Sequence, residues 1–275
     1  MILRTTAILL LAAALPLAQQ TTPADVSPRD RAYDHMLDTN VRDGLVYYNA
    51  VKASRATLAR YIETLDTTPA TFERLPREAQ MALLINAYNA IALHTAASAY
   101  PIAGRVADFP AKSIRQIPGA FDRKHRVAGR TVSLDELERW LIDEYDDARV
   151  IFALGRGAVG GGRLKSEAYT AARLEAQLAD ATREFAMRNF RMDQAAGTVV
   201  VSPLYSWREK DLAAAFADKA DPAFAGRSPI ERAILALTIE HLFASEQAWL
   251  KENRFRVEFG RFDWRLNDLT GGGVN

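Results

Sequence analysis

"LGRGAVGGGR", residues 154–163, decides the fold, because it can be read in two incompatible ways. It follows an apolar run, "RVIFAL" (149–154), read as a buried strand, and it contains G-x-G-x-x-G as Gly155, Gly157 and Gly160. A dinucleotide-binding turn would put the chain among doubly wound parallel sheets. That motif needs a preceding strand, a helix opening at once, and an acidic residue at the end of a second strand about 20 residues on. Glu175 has the distance, yet it falls within a segment patterned as helix, where no strand end can present it. Gly160, Gly161 and Gly162 also open a helix poorly, since each Gly costs roughly 1 kcal/mol relative to Ala in a helix interior. The glycines are therefore not a nucleotide turn, and the fold is read from their surroundings.

Downstream, "EAYTAARLEAQLADATREFAMRNF" (167–190) carries Leu174, Leu178, Ala181 and Phe185 at helical spacing, with charges off that stripe. Upstream, "HRVAGRTVSL" (125–134) reads as two short strands around a turn at Ala128 and Gly129, and Ser133 with Glu136 has capping-box spacing for the next helix. "RLPREAQMALLINAYNAIALHTAASAYP" (74–101) predicts a long helix begun near Pro76 and ended before Pro101. It is apolar all round from Met81 to Ala97, which marks a buried helix. Residues 29–65 read as helical around the extended "GLVYYNAV" (44–51). Beyond the glycines come a strand at "GTVVVS" (197–202), one capped helix over 228–253 begun by Ser228, Pro229 and Glu231, and a strand at "FRVEF" (255–259). About five short strands among five helices, without regular alternation, predict an α+β fold with a small mixed sheet.

The chain has 275 residues, 49% hydrophobic and 25% charged, enough to bury a substantial core. Without a Pro/Ser-rich linker, residues 29–269 are read as one domain and 270–275 as a flexible tail. A net charge of +1 gives no general attraction to nucleic acid or anionic lipid. The first residues, with Arg4 and an apolar run from Ala7 to Ala18, have the grammar of a signal peptide over 1–18, followed by a disordered stretch over 19–28. That run is shorter than the ~20 residues of a spanning helix, so the expectation is export to the periplasm or beyond with no membrane span left after removal. There is no cysteine, so disulfides and N-terminal lipid attachment are excluded.

Six stretches together resemble one family. They are "LINAYNAIAL" (84–93), "KSIRQI" (112–117), "TVSLDELER" (131–139), "ARVIFALGRGAVGGGRL" (148–164), "SPLYSW" (202–207) and "FDWRLN" (262–267). In this order they resemble the domain of unknown function 547 of bacterial and plant proteins. The resemblance implies an α+β fold distantly related to papain-like or transglutaminase-like proteins, and no settled activity. It also implies departures. The family pattern has His where this chain has Arg139 and Ile151, and Cys where it has Arg156 and Gly161. Thiolate attack or zinc ligation needs those Cys and His groups, and Arg, Ile and Gly supply neither. On that reading the glycine stretch is a cysteine loop that has lost its cysteines.

The remaining candidates follow from residue chemistry. Asn86 and Asn89 share one face of an apolar helix, either to orient a ligand or imidazole or to satisfy backbone groups, and the second role is the expectation. His35, His94, His125 and His241 have no metal spacing, so neither metal nor cofactor is expected; His94 could face the same cavity as the asparagines. Arg156, Gly157, Arg163 and Lys165 surround the glycines either as a solvated basic loop or as an anion cradle. Ser202 and Ser206 flank a strand end, and Tyr205, Trp207, Phe262 and Trp264 read as core or sheet edge. The function expected is that of an exported, non-catalytic, pseudoenzyme-like binding module, its partner a small anionic ligand or envelope component held at the glycine loop. The alternative is a thiol-independent hydrolase or transferase acting on envelope peptides or esters, with His94 as base.

Overall fold

The structure, a computed structural model, describes residues 25–271. The expected signal segment (1–18), residues 19–24 and the tail residues 272–275 lie outside the described residues. At the amino-terminal end Val26 is buried and Ser27 hydrogen-bonds Asp30, so the ordered domain already includes residues 25–28, which were expected to be disordered. An apolar side chain with a core to enter outweighs the polar composition around it.

Helix α1 (Arg31–Asn40), the hairpin β1 (Val41–Arg42) and β2 (Leu45–Val46), and helices α2 (Tyr48–Ala53), α3 (Arg55–Thr64) and α4 (Pro69–Glu73) precede the long helix α5 (Arg77–Ala99). Every residue of α5 from Met81 to Leu93 is buried, with α2, α3 and the later α6 packed against it. This is the helix expected from the apolar run, with Pro76 as its N-cap. The hairpin β3 (His125–Val127) and β4 (Arg130–Val132) also forms as expected. Ala128 (φ 49°) and Gly129 (φ 75°) both take the left-handed conformation of a type I′ turn. Helix α6 (Leu134–Tyr145) starts with the reciprocal Ser133–Glu136 capping box.

The stretch expected to be a strand before the glycines is instead one helical turn, α7 (Val150–Ala153), with all four residues buried. A short apolar run does not distinguish a buried strand from a buried helical turn. The nucleotide fingerprint therefore lacks its strand as well. Helix α8 (Leu174–Arg188) follows and buries the stripe Leu174, Leu178, Ala181 and Phe185.

The rest of the chain contains β5 (Phe190–Asp193), β6 (Thr198–Val201), helices α9 (Leu204–Trp207), α10 (Glu209–Phe216), α11 (Pro229–Thr238) and α12 (Ala244–Lys251), and β7 (Arg256–Phe259). In the sheet β6 is central: it pairs antiparallel with β5 (Phe190 opposite Val201) and parallel with β7 (Val201 opposite Phe259). The single helix expected over 228–253 breaks at Thr238. That buried residue turns its hydroxyl back to the Ile234 carbonyl at 2.8 Å, and Glu246 restarts a helix by accepting the Phe243 N–H at 2.9 Å. With 53% helix and 10% strand, the architecture is α+β with a small mixed sheet.

Two apolar clusters fill the interior. The first surrounds α5, and the second lies between α11, the sheet and Phe152 with Phe185. Both α7 and α8 contribute to both clusters, so the glycine loop between them sits at the seam.

Candidate functional site

The loop is held from α5. The Asn89 side chain donates to the Ala153 carbonyl (3.0 Å) and accepts from the Gly155 N–H (2.9 Å). One turn earlier Asn86 donates to the Tyr169 carbonyl (2.8 Å) and accepts from its N–H (2.9 Å). Each amide imitates a strand partner, and the two fix the start and the far end of the segment 153–169. The asparagines are thus backbone clamps. Asn89→Ala leaves a buried carbonyl and a buried N–H unpaired, and a loss of about 2–4 kcal/mol in urea-unfolding free energy is expected.

Between the clamps the loop folds onto its own backbone. The N–H groups of Ala158, Val159, Gly160, Gly161 and Gly162 donate to the carbonyls of Gly155, Arg265, Asp263, Ala158 and Leu154. They form no open anion cradle. A Cβ at Gly161 would stand 2.6 Å from the Gly155 carbonyl oxygen, and one at Gly162 only 2.0 Å from that of Phe152. These glycines permit backbone contact, and a cysteine at 161 would not fit this backbone. Arg156 (φ 52°) and Gly157 (φ 60°) are consecutive left-handed residues, which turn the Arg156 side chain inward.

Arg156 was expected to face an anion; it is buried and already paired. Its Nη1 donates to the carbonyls of Ile151 (3.0 Å) and Leu154 (3.1 Å), and its Nη2 to Glu138 Oε2 (2.7 Å). The other Glu138 oxygen lies 3.5 Å from Arg208 Nε. Burial opposes the charge of Arg156, but Glu138, helped by Tyr88 and Asp135, outweighs it and raises its pKa. Arg163 lies instead 3.8 Å from Asp43, and Lys165 pairs with Asp180 and Glu184. The three basic residues diverge because each finds a different carboxylate, so the cradle expected at the glycines does not form.

His94 does not face the asparagines' clamp. It is half-buried, 3.4 Å from the exposed Ser98 hydroxyl one turn along α5, and lies outside the pocket described below. Burial, then Arg123 and Arg55, lower its pKa; burial, then Arg123 and His94, lower that of His125. Ser202 and Ser206 cap local backbone. Lowered imidazole values carry a sign for stability. The unfolded chain takes up protons below about pH 6.5 while these two sites resist them. Stability is full above that pH and is lost as pH falls towards the folded values. Urea unfolding at pH 7.5 and 5.5 is expected to show this fall, reduced in a His94→Gln, His125→Gln variant.

Beside Arg156 opens a pocket of about 230 Å³. Its charged wall comprises Arg115, Arg139, Arg156 and Arg208 against Asp135 and Glu138; its aromatic wall comprises Tyr88, Phe121, Trp207 and Trp264. Two of the four positions that the resemblance pairs with Cys and His, Arg139 and Arg156, line it. Ile151 is instead packed in the second apolar cluster, and Gly161 against Gly155.

Arg115 is the distinctive member. Its guanidinium carbon lies 4.3 Å from the Phe121 ring centroid and 4.4 Å from that of Trp264. Its Nε is buried without a partner, and among the described residues it makes no ion pair. Tyr88 is 1% exposed, and among the described residues its hydroxyl has no hydrogen-bond partner. Burial pushes its phenol well above the usual range, so it remains a donor. Burial also raises the Asp135 carboxyl, against the pull of Arg115.

Residues 72–186 match the family model described as "Protein of unknown function, DUF547". Over that stretch the chain is similar to this family. No curated protein and no solved structure matches the chain. The papain-like relation thus stays an implication of the resemblance. The matched stretch runs from within α4 to within α8 and supplies both asparagine clamps, the glycine loop, Tyr88, Arg115, Asp135, Glu138 and Arg139. Trp207, Arg208 and Trp264, from beyond it, complete the pocket.

Tyr88, Arg115, Asp135 and Glu138 were not anticipated. Arg115 stands in the quoted "KSIRQI", but nothing local shows that its charge goes unpaired. Asp135 and Glu138 are three apart on α6, a spacing that puts both carboxylates on one face. Trp207 and Trp264 were expected in core or sheet edge; they line the pocket, and Trp207 is 45% exposed.

Proposed function

We propose that the protein is a non-catalytic binding module whose pocket receives the carboxylate or phosphate of a small ligand on Arg115. The observation that carries this is the guanidinium of Arg115, seated in the corner between two rings, without an ion pair among the described residues and opening on a pocket where four arginines face two carboxylates. A planar guanidinium held in place loses little freedom when it grips an anion. The Tyr88 hydroxyl offers a second donor. Of the other pocket cations, Glu138 neutralises Arg156 and contacts Arg208, whereas Arg139, among the described residues, hydrogen-bonds only the Asp135 carbonyl, at 3.3 Å, and is exposed rather than held against rings.

The lack of a thiol and of an imidazole at the pocket supports the non-catalytic reading. The chain has no thiol, His94 lies away from the pocket, and Glu138 is held by arginines. The departures at Arg139, Ile151, Arg156 and Gly161 point the same way. The hydrolase alternative loses its base with His94. Residues 1–18 support export, so the ligand would be met in the periplasm or outside the cell; the mature N-terminus, read by mass spectrometry on protein from the native host, tests this.

A thermal-shift titration tests the binding reading. Phosphate or acetate is expected to raise the melting temperature, because a ligand that binds only the folded state stabilises it by mass action. Arg115→Gln is expected to fold and to remove the shift. No shift with either anion, or one that survives in Arg115→Gln, contradicts the proposal.

A further inference from the structure

We propose that the ligand is an arylcarboxylate: the charge sits on Arg115 and the aromatic ring lies against the indole of Trp207. This rests on the anion-binding reading above and adds the class of molecule.

The pocket's aromatic wall is a connected set. Trp264 carries the Arg115 guanidinium over its ring at 4.4 Å and lies 6.1 Å from Trp207 at an interplanar angle of 20°. Phe262 touches both at a tilt, 4.4 Å from Trp264 and 4.8 Å from Trp207. Trp264 is packed against the first apolar cluster and Phe262 against the second, so both are fixed from behind. Trp207 is the member left 45% exposed, on the four-residue helix α9 that ends at the pocket's rim. A large, rigid, half-exposed indole backed by other rings presents a flat apolar face at little entropic cost.

The cation and the exposed indole line one small pocket, and Trp264 is in ring contact with both. A ligand that satisfies both has a carboxylate attached to a ring directly or through a very short link. The volume agrees. About 230 Å³ lies below the ~300–1,000 Å³ of pockets that take drug-sized molecules and suits one or two fused rings. The net positive wall excludes the corresponding amines, and a ring without charge leaves the buried Arg115 Nε still unpaired.

Titration calorimetry with acetate, cyclohexanecarboxylate, benzoate and 2-naphthoate tests this, with indole fluorescence as a second readout. The expected order is 2-naphthoate tightest, then benzoate, then the other two, with about 10- to 100-fold between 2-naphthoate and acetate, the range of one aromatic stacking contact. Trp207→Ala, a change at a half-exposed position, is expected to bring 2-naphthoate down to the acetate level without weakening acetate. Arg115→Gln is expected to remove all binding. If all four acids bind alike through Arg115, or Trp207→Ala changes nothing, the aromatic inference falls and the anion reading stands. If cyclohexanecarboxylate equals benzoate, the ring is recognised for its apolar face alone and the arylcarboxylate class is wrong. If no acid binds, both fall.

Discussion

Arg156→Ala is expected to lose about 3–5 kcal/mol of unfolding free energy, the range for breaking a buried ion pair from one side. The Arg156 side chain is 3% exposed and Glu138 is 13% exposed, so the carboxylate left behind cannot be rehydrated freely. Arg208, at 3.5 Å, offsets only part of that charge. Two carbonyls, of Ile151 and Leu154, also lose their donor. The pair closes the seam between the apolar clusters, so its net worth is smaller than the cost of breaking it. Replacing both members, Arg156→Met with Glu138→Leu, is therefore expected to recover much of the loss. Denaturant unfolding of the single and double variants checks both statements. A single-variant loss below about 1 kcal/mol, typical of solvated pairs, would mean that the guanidinium is not sealed from water.

Gly162→Ala is expected to lose about 3 kcal/mol or more, at or beyond the upper end for overpacked cores. The added carbon would stand 2.0 Å from the Phe152 carbonyl oxygen, which belongs to α7 and is held by packing in both clusters. Neither partner is a flexible side-chain end, so relief requires moving the loop, and the loop is clamped at Ala153, Gly155 and Tyr169. Gly226→Ala, where nothing lies within 4 Å, serves as the control and should stay within about 0.5 kcal/mol of the parent. Equal effects at the two positions in thermal and denaturant unfolding would show that the loop backbone gives way easily.

What the sequence reveals of this protein is what local chemistry decides. The Ser133–Glu136 box, the Ala128–Gly129 turn, the stripe of α8 and the buried length of α5 all depend on neighbours within four or five residues. So does the failure of the nucleotide motif, because Glu175 sits in a helix. The roles of Asn86 and Asn89 were legible for another reason: a buried amide must find partners, and nearby backbone is the commonest source. The helical turn at Val150–Ala153 was hidden because five apolar residues in a row fit either backbone. The break at Thr238 was hidden because no Pro or Gly marks it between Ser228 and Asn253 other than Pro229 at the start.

The site is least legible of all. Tyr88, Arg115, Glu138, Trp207 and Trp264 are far apart in the chain and meet only in the folded structure. Arg156 shows the converse. In sequence it is a cation beside flexible glycines, and only the fold reveals that Glu138, 18 residues earlier, has already taken its charge. The three glycines likewise mark places where backbone meets backbone, a property of the tertiary structure that no spacing encodes.

Anion binding is proposed to belong to Arg115 and the rings around it, while the glycine loop is a structural closure. Nuclear magnetic resonance during a phosphate titration tests it most directly, by following the Arg115 and Arg156 Nε–H signals, the Trp207 and Trp264 indole N–H signals and the amides of Gly157 to Gly162. Saturable shifts are expected at Arg115 and the Trp264 indole that lies against it, with Arg156 and the glycine amides unmoved. Shifts centred on Gly157 to Gly162 and Arg156, with Arg115 silent, would contradict it.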